Sequence, residues 1–197
     1  MGRPGFKGHV PRACPPSCRL AFMERKAAII GTGKPWGAEG RTGTGISHNH
    51  AKGYARCAGT RLVAVADIVR ENAEAFQALH GGDAIYTDYR EMLEKERPDL
   101  VSICTWPGLH EQMVLDCAAA KVPAVHCEKP LAPTWAAAKR MAAACETSGT
   151  QLTFNHQRRF DGAYVKTKAL LDEGRIGELQ LMEMPTANLF DWGTHWF

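Results

Sequence analysis

The chain has 197 residues, 45% of them apolar and 23% charged, with 19 Gly, 11 Pro and 7 Cys. That balance excludes collagen-like and coiled-coil architectures and argues against disorder, and no apolar run approaches the roughly 18 residues of a membrane span. The net charge of +3 is concentrated in residues 1–22, where Arg3, Lys7, Arg12 and Arg19 face no acid; the near-neutral remainder points to no nucleic-acid or membrane partner.

Residues 1–22 are rich in Pro, Gly and Arg and lack the apolar stretch of a secretory signal. They read as a disordered extension, or as translated upstream sequence with the real start at Met23. From there strand-like and helix-like stretches alternate. A strand over 26–30 leads into a glycine-rich loop, and 46–57 suits a helix stopped by Gly59. A β-branched strand follows at 61–67, then an amphipathic helix at 70–80 ended by Gly81 and Gly82. A short helix at 89–96, a strand at 99–105, a helix at 109–121 and a strand at 123–127 come next. An alanine-rich helix at 133–147 and a strand at 151–155 complete the series.

Strands alternating with helices of ten or more residues predict βαβ units and a Rossmann-type, doubly wound parallel sheet of the α/β class. This dinucleotide-binding domain spans 23–155. The texture then changes: 156–160 is polar and basic, 163–173 helical, and a turn at 174–177 leads into a strand at 178–184. Residues 156–197 read as the incomplete start of a second α/β domain, because some forty residues cannot bury a core of their own.

In parallel sheets, ligands bind beyond the carboxyl ends of the strands. The loops after Ile30, Asp67, Thr105 and Cys127 are therefore where chemistry is expected. Gly31-Thr32-Gly33 directly follows the first strand, where glycine lets the backbone turn sharply and approach a pyrophosphate. Six of the fifteen residues from 31 to 45 are glycine, but position 36 is Trp, so the simple GxGxxG spacing is not met. The loop reads as expanded over 34–44 before Gly45-Ile46-Ser47 opens the helix. On its own the glycine pair fits a flexible surface loop equally well. Asp67 at the end of the second strand shifts that balance, since a carboxylate there accepts from ribose hydroxyls and repels a 2′-phosphate, favouring NAD; nearby Arg70 leaves NADP open.

Seven cysteines make no disulfide framework in a chain of this size. Cys57, Cys104, Cys117, Cys127 and Cys145 lie in apolar surroundings and read as buried thiols of a reducing, cytoplasmic protein. Cys14 and Cys18 have no second ligand pair at zinc-like spacing, and His48 and His50 have no completing set, so no metal site is expected. The two histidines read as lying on the helix surface or beside the nucleotide, and His126 and Cys127 as core.

Glu128-Lys129-Pro130 stands beyond the strand at 123–127, and Thr105-Trp106-Pro107-Gly108-Leu109-His110 beyond the preceding one. Together with the glycine loop, Val65-Ala66-Asp67, Arg159-Phe160, Gly174-Arg175-Ile176-Gly177 and Asp191-Trp192-Gly193-Thr194-His195, this ordered set resembles the glucose-fructose oxidoreductase, inositol dehydrogenase and rhizopine-catabolism (Gfo/Idh/MocA) family over residues 26–197. It covers about the first half of a typical member. Departures are the enlarged phosphate loop, Ser47 in place of a glycine, and Lys121 where the family turns on glycine.

The resemblance implies hydride transfer between a nicotinamide and a hydroxyl-bearing carbon of a sugar, cyclitol or related polyol. Lys129 would bind the reacting oxygen and assist its proton transfer; Asp191 and His195 would bind substrate, with His195 the acid–base candidate. Gly31, Gly33, Gly45, Ile46, Asp67 and Glu128 would hold the cofactor, with Thr105, Trp106 and His110 near its nicotinamide end. Histidine exchanges protons near neutrality, and an ammonium stabilises developing alkoxide charge. Asp191 and His195 also fit a helix cap with an incidental histidine, and Trp192 and Trp196 fit either a sugar pocket or ordinary packing. The full-length form is expected to be a homo-oligomer. The competing expectation is a non-catalytic dinucleotide-binding module, or an inactive fragment lacking most of its substrate domain.

Overall fold

Each strand is a short apolar run that a helix follows, and each helix carries its own punctuation. In a computed structural model, which describes residues 24–34, 39 and 45–183, these runs form six strands. They are β1 (Arg25–Ile30), β2 (Thr60–Ala66), β3 (Ala84–Tyr86), β4 (Leu100–Ile103), β5 (Ala124–Cys127) and β6 (Gln151–Phe154). The connecting helices are α1 (Ser47–Arg56), α2 (Arg70–His80), α3 (Tyr89–Glu96), α4 (Pro107–Ala119) and α5 (Trp135–Ser148), and α6 (Gly162–Asp172) follows a short 3-10 segment at Gln157–Phe160.

Asp88 caps α3 by accepting from the Arg90 amide, and the Thr134 hydroxyl caps α5 by accepting from that of Ala137. The α4 helix begins two residues earlier than expected because Pro107 occupies its first turn, where a missing N–H costs nothing. Lys121, in place of a glycine, still adopts a left-handed conformation at φ 55°.

All strand pairs are parallel, in the order β3-β2-β1-β4-β5-β6. The chain winds outward from β1 to β3, crosses back, and winds the other way from β4. The carboxyl ends of β1 and β4 therefore flank the point where the winding reverses, the crevice in which such sheets bind ligands. One strand was not foreseen, and one expectation fails. The three-residue β3 carries no periodic pattern long enough to read. The strand foreseen at 178–184 does not form over 178–183, which are exposed and have no neighbouring strand among the described residues to pair with.

Helices α3, α4 and α5 cover one sheet face over a large apolar cluster that includes Ile30, Met92, Val101, Ile103, Val114, Val125 and Met141. On the opposite face α1 and α2 enclose a smaller cluster of Ile29, Ala51, Val65, Ala73 and Phe76. No residue of α6 is buried.

Candidate active site

At the carboxyl end of β1, Gly31 turns at φ 85° and Gly33 at φ 57°. A Cβ on Gly31 would come within 2.7 Å of Thr105 Cγ2 and 3.0 Å of the Cys104 carbonyl oxygen, so only glycine lets this turn lie against the loop after β4. Among the described residues, a Cβ on Gly33 would meet nothing within 4 Å. The first turn of α1 contains no acid and its N-cap Ile46 offers no side-chain acceptor; the His48 and Asn49 amides donate to the Gly45 and Ile46 carbonyls, and the positive end of the helix carries no carboxylate that would compete with an anion. Ser47 holds the turn from behind by donating its hydroxyl to the Thr32 carbonyl. The residues present fit a dinucleotide pyrophosphate.

Asp67 follows β2. Its Oδ2 accepts from the Thr32 amide, the Thr32 hydroxyl and the Gly33 amide, each at 2.9 Å. Its Oδ1 accepts from the Val69 amide and keeps a lone pair for a ribose hydroxyl. The acid thus sets the shape of the glycine turn as well as facing the ligand edge. Arg70, whose nearness left NADP open, pairs with Glu74 at 2.9 Å along α2.

Beyond β4, Trp106 is 43% exposed at the start of α4, and Thr105 donates its hydroxyl to Met113 Sδ at 3.3 Å. His110 is fully buried. Its Nδ1 lies 3.0 Å from the Pro130 carbonyl and 3.2 Å from that of Leu131, and its Nε2 lies 3.0 Å from that of Thr105. In this geometry it fastens the loop after β4 to the loop after β5, and its ring nitrogens are turned to backbone.

Beyond β5, Lys129 is exposed at the ligand edge, and its amide donates to Glu128 Oε2 at 3.1 Å. The Glu128 side chain turns inward, where its Oε1 accepts from His50 Nε2 at 2.9 Å and from the side-chain Nδ2 of Asn155 at 2.5 Å. Burial alone would push the Glu128 carboxyl up; the hydrogen bonds from His50, Asn155 and the Lys129 amide outweigh it and hold the group below the ordinary carboxylate range. Neither Cys104 nor Cys127 offers a thiolate. Burial and the neighbouring Glu128 charge push Cys127 up to about 12 and Cys104 well above its usual value.

The expected surface or nucleotide-side placement of His48 and His50 is not what forms. His48 is only 8% exposed against Phe76, with Nδ1 2.7 Å from His80 Nε2, and the His50 side chain is 7% exposed. The meeting of His50 with Tyr54, Ser102 and Asn155 around Glu128 was not read from the sequence. The signal was there: the third residue of β4, β5 and β6 is polar in each case (Ser102, His126, Thr153), and His50 and Tyr54 stand one helical turn apart. His126 is half-buried, where core was expected, and borders a cavity of about 550 Å³ between α1 and this polar sheet face; Cys127 is fully buried, as expected. Asp191, Trp192, His195, Trp196, Cys14, Cys18 and most of 34–44 lie outside the described residues. Among the described residues no group of three or more His, Cys, Asp or Glu is placed to hold a metal, and no helix is long and apolar enough to cross a membrane.

Residues 25–156 match the model of the oxidoreductase family with an NAD-binding Rossmann fold, Gfo/Idh/MocA. The chain belongs to that family. It is 34% identical over 154 residues to inositol 2-dehydrogenase of Paracoccus denitrificans, covering 77% of this chain and 42% of that protein. It is 33% identical over 152 residues to D-apiose dehydrogenase of Paraburkholderia graminis, covering 77% and 37%. An oxidoreductase from Agrobacterium radiobacter, solved in complex with NAD+, L-tartaric acid and magnesium, superposes with a TM-score of 0.70 at 27% identity, covering 79% of this chain and 42% of that one. This Gfo/Idh/MocA chain therefore carries an NAD-binding Rossmann domain and spans about two fifths of the length of the curated relatives it matches.

Proposed function

We propose that the protein is an NAD(P)-dependent oxidoreductase that moves a hydride between nicotinamide and a hydroxyl-bearing carbon of a sugar, cyclitol or related polyol. The observation that carries this reading is the exposed Lys129 at the carboxyl end of β5, in a loop that His110 fastens to the loop after β4 at the switch point. Two relatives named for inositol and apiose oxidation support the substrate class. Bound NAD would supply the hydride acceptor.

Gly31, Gly33, Gly45 and Ile46 present the turn and helix start to the pyrophosphate, and Asp67 takes the ribose. Thr105 and Trp106 border the nicotinamide end. Lys129 binds the reacting hydroxyl oxygen through its ammonium, favouring the charge that grows there as the carbon loses hydride. The proton leaving that oxygen goes to a base, for which His195 is the candidate, with Asp191 holding the substrate. Cysteines that are all free thiols among the described residues support a cytoplasmic setting.

NADH is expected to raise the Tm of the purified 197-residue chain. Lys129→Ala should abolish NAD-coupled oxidation of inositol or a related polyol, and weaken NADH without abolishing cofactor binding. A folded sample that bound neither NADH nor NADPH would overturn the reading. The exposed, unburied α6 favours a second reading, a dinucleotide-binding module without catalysis of its own; measurable turnover by this chain would eliminate it.

A further inference from the structure

The polar residues facing α1 form a directed series. Ser102, His126 and Thr153 stand in register across β4, β5 and β6. His50 reaches into this row from α1 and is held at both edges of its ring, with Nδ1 2.9 Å from Ser102 Oγ and Nε2 2.9 Å from Glu128 Oε1. A carboxylate only accepts, so Nε2 carries the proton. In the neutral ring Nδ1 accepts from Ser102, whose hydroxyl oxygen then accepts from the Tyr54 hydroxyl at 2.6 Å. Burial pushes the Tyr54 hydroxyl up, which keeps it a donor. The series runs from Tyr54 through Ser102 and His50 to Glu128, and ends on the backbone amide of Lys129.

We propose that His50 is a positioning residue for Lys129. By gripping the Glu128 carboxylate, it fixes the origin of the lysine side chain relative to α1, the helix that opens behind the glycine turn. The inference rests on the role given to Lys129 above. Two anchors hold this end of the loop, and they lie on different sides of it. His110 takes the carbonyls of Pro130 and Leu131, whereas His50 and Asn155 take the side chain of Glu128. Lysine reaches its target through a long flexible stem, so only the backbone can set where that stem begins. A displacement of about 1 Å there is enough to spoil alignment at a reacting centre. The imidazole suits the task, since it satisfies the carboxylate from one edge and is held by Ser102 at the other.

The test compares two ligands with the same ADP-ribose body, one of which also carries the nicotinamide ring. Calorimetric titration of the 197-residue chain with NADH and with ADP-ribose gives the ratio of the two affinities. His50→Leu is expected to weaken NADH by about tenfold and ADP-ribose by less than about twofold. His50→Gln, whose amide can still donate to Glu128, should restore most of the NADH affinity. Asn155→Ala, removing the companion donor, should shift the ratio the same way by a smaller factor. Equal weakening of both ligands by His50→Leu, or a lowered Tm with an unchanged ratio, would reduce His50 to a structural residue and overturn the proposal. If His50→Leu does not fold, Asn155→Ala decides by the same ratio. A Lys129→Ala chain that loses the preference for NADH, while the His50 and Asn155 variants keep it, defeats the positioning role alone. A wild-type chain that binds neither ligand defeats the oxidoreductase reading, and the positioning role with it.

Discussion

The two faces of the sheet over β4–β6 are built from alternate residues of the same three strands, yet they serve different ends. On one, Val101, Ile103, Val125 and Cys127 are sealed under α4 and α5 in an apolar cluster. On the other, Ser102 is hydrogen-bonded to His50 and Tyr54 of α1, and His126, bonded to Thr153, lies against the His50 ring beside a cavity. Stability from apolar burial is proportional to area and indifferent to direction. Hydrogen bonds are directional, so the polar face can specify where Glu128, and hence Lys129, must stand. The comparison teaches a division of labour within single strands: one face holds the domain together and the other aims its ligand edge.

Adjacent residues on β4 allow the contrast to be broken directly. Ile103→Ala, in a fully buried apolar site, should cost about 3 kcal/mol of stability in urea unfolding. Ser102→Ala leaves Tyr54 and His50 short of a partner and should cost about 1 kcal/mol. Equal losses would remove the distinction between the faces.

Acid sharpens it next. The folded Glu128 carboxyl lies below its ordinary range, so the unfolded chain binds the proton more readily. Its contribution is complete above the usual carboxylate pKa and is lost as pH falls through the folded value. Glu128→Gln should therefore flatten the acid limb of a stability–pH curve measured by chemical unfolding, and an unchanged limb would place the Glu128 charge outside the network. A smaller effect is expected on the α2 side. Burial lowers both His48 and His80, so their packing contribution is full above about pH 6.5 and declines below it. His80→Phe should reduce the slope of Tm between about pH 5 and 6.5 while leaving the Glu128 limb in place.

Much of the fold was legible because its signals are local. The helices at 70–80 and 89–96 form over the expected residues, and the strands and remaining helices differ by a residue or two at their ends. Thr134 and Pro107 moved two helix starts through capping chemistry that apolar spacing does not register. The ligand edge was legible for the same reason, since Gly31, Asp67, Thr105 and Lys129 each follow a recognisable strand. The orientation of side chains along that edge was not. The resemblance made Glu128 and His110 cofactor contacts, and in the structure the carboxylate turns in to His50 and Asn155 while the imidazole lies against three backbone carbonyls.

The sequence by itself determined the alternation of strands and helices, the parallel sheet that follows from it, and the presence of a glycine turn, an acid and a lysine at strand ends. Only the tertiary structure decided which polar groups meet. His50, Ser102, Glu128 and Asn155 come from four separate elements or their ends and touch only once the sheet has closed beside α1. Periodicity is set by neighbours a few residues away, whereas a buried donor finds its acceptor by position in space, and no short stretch of chain records that distance.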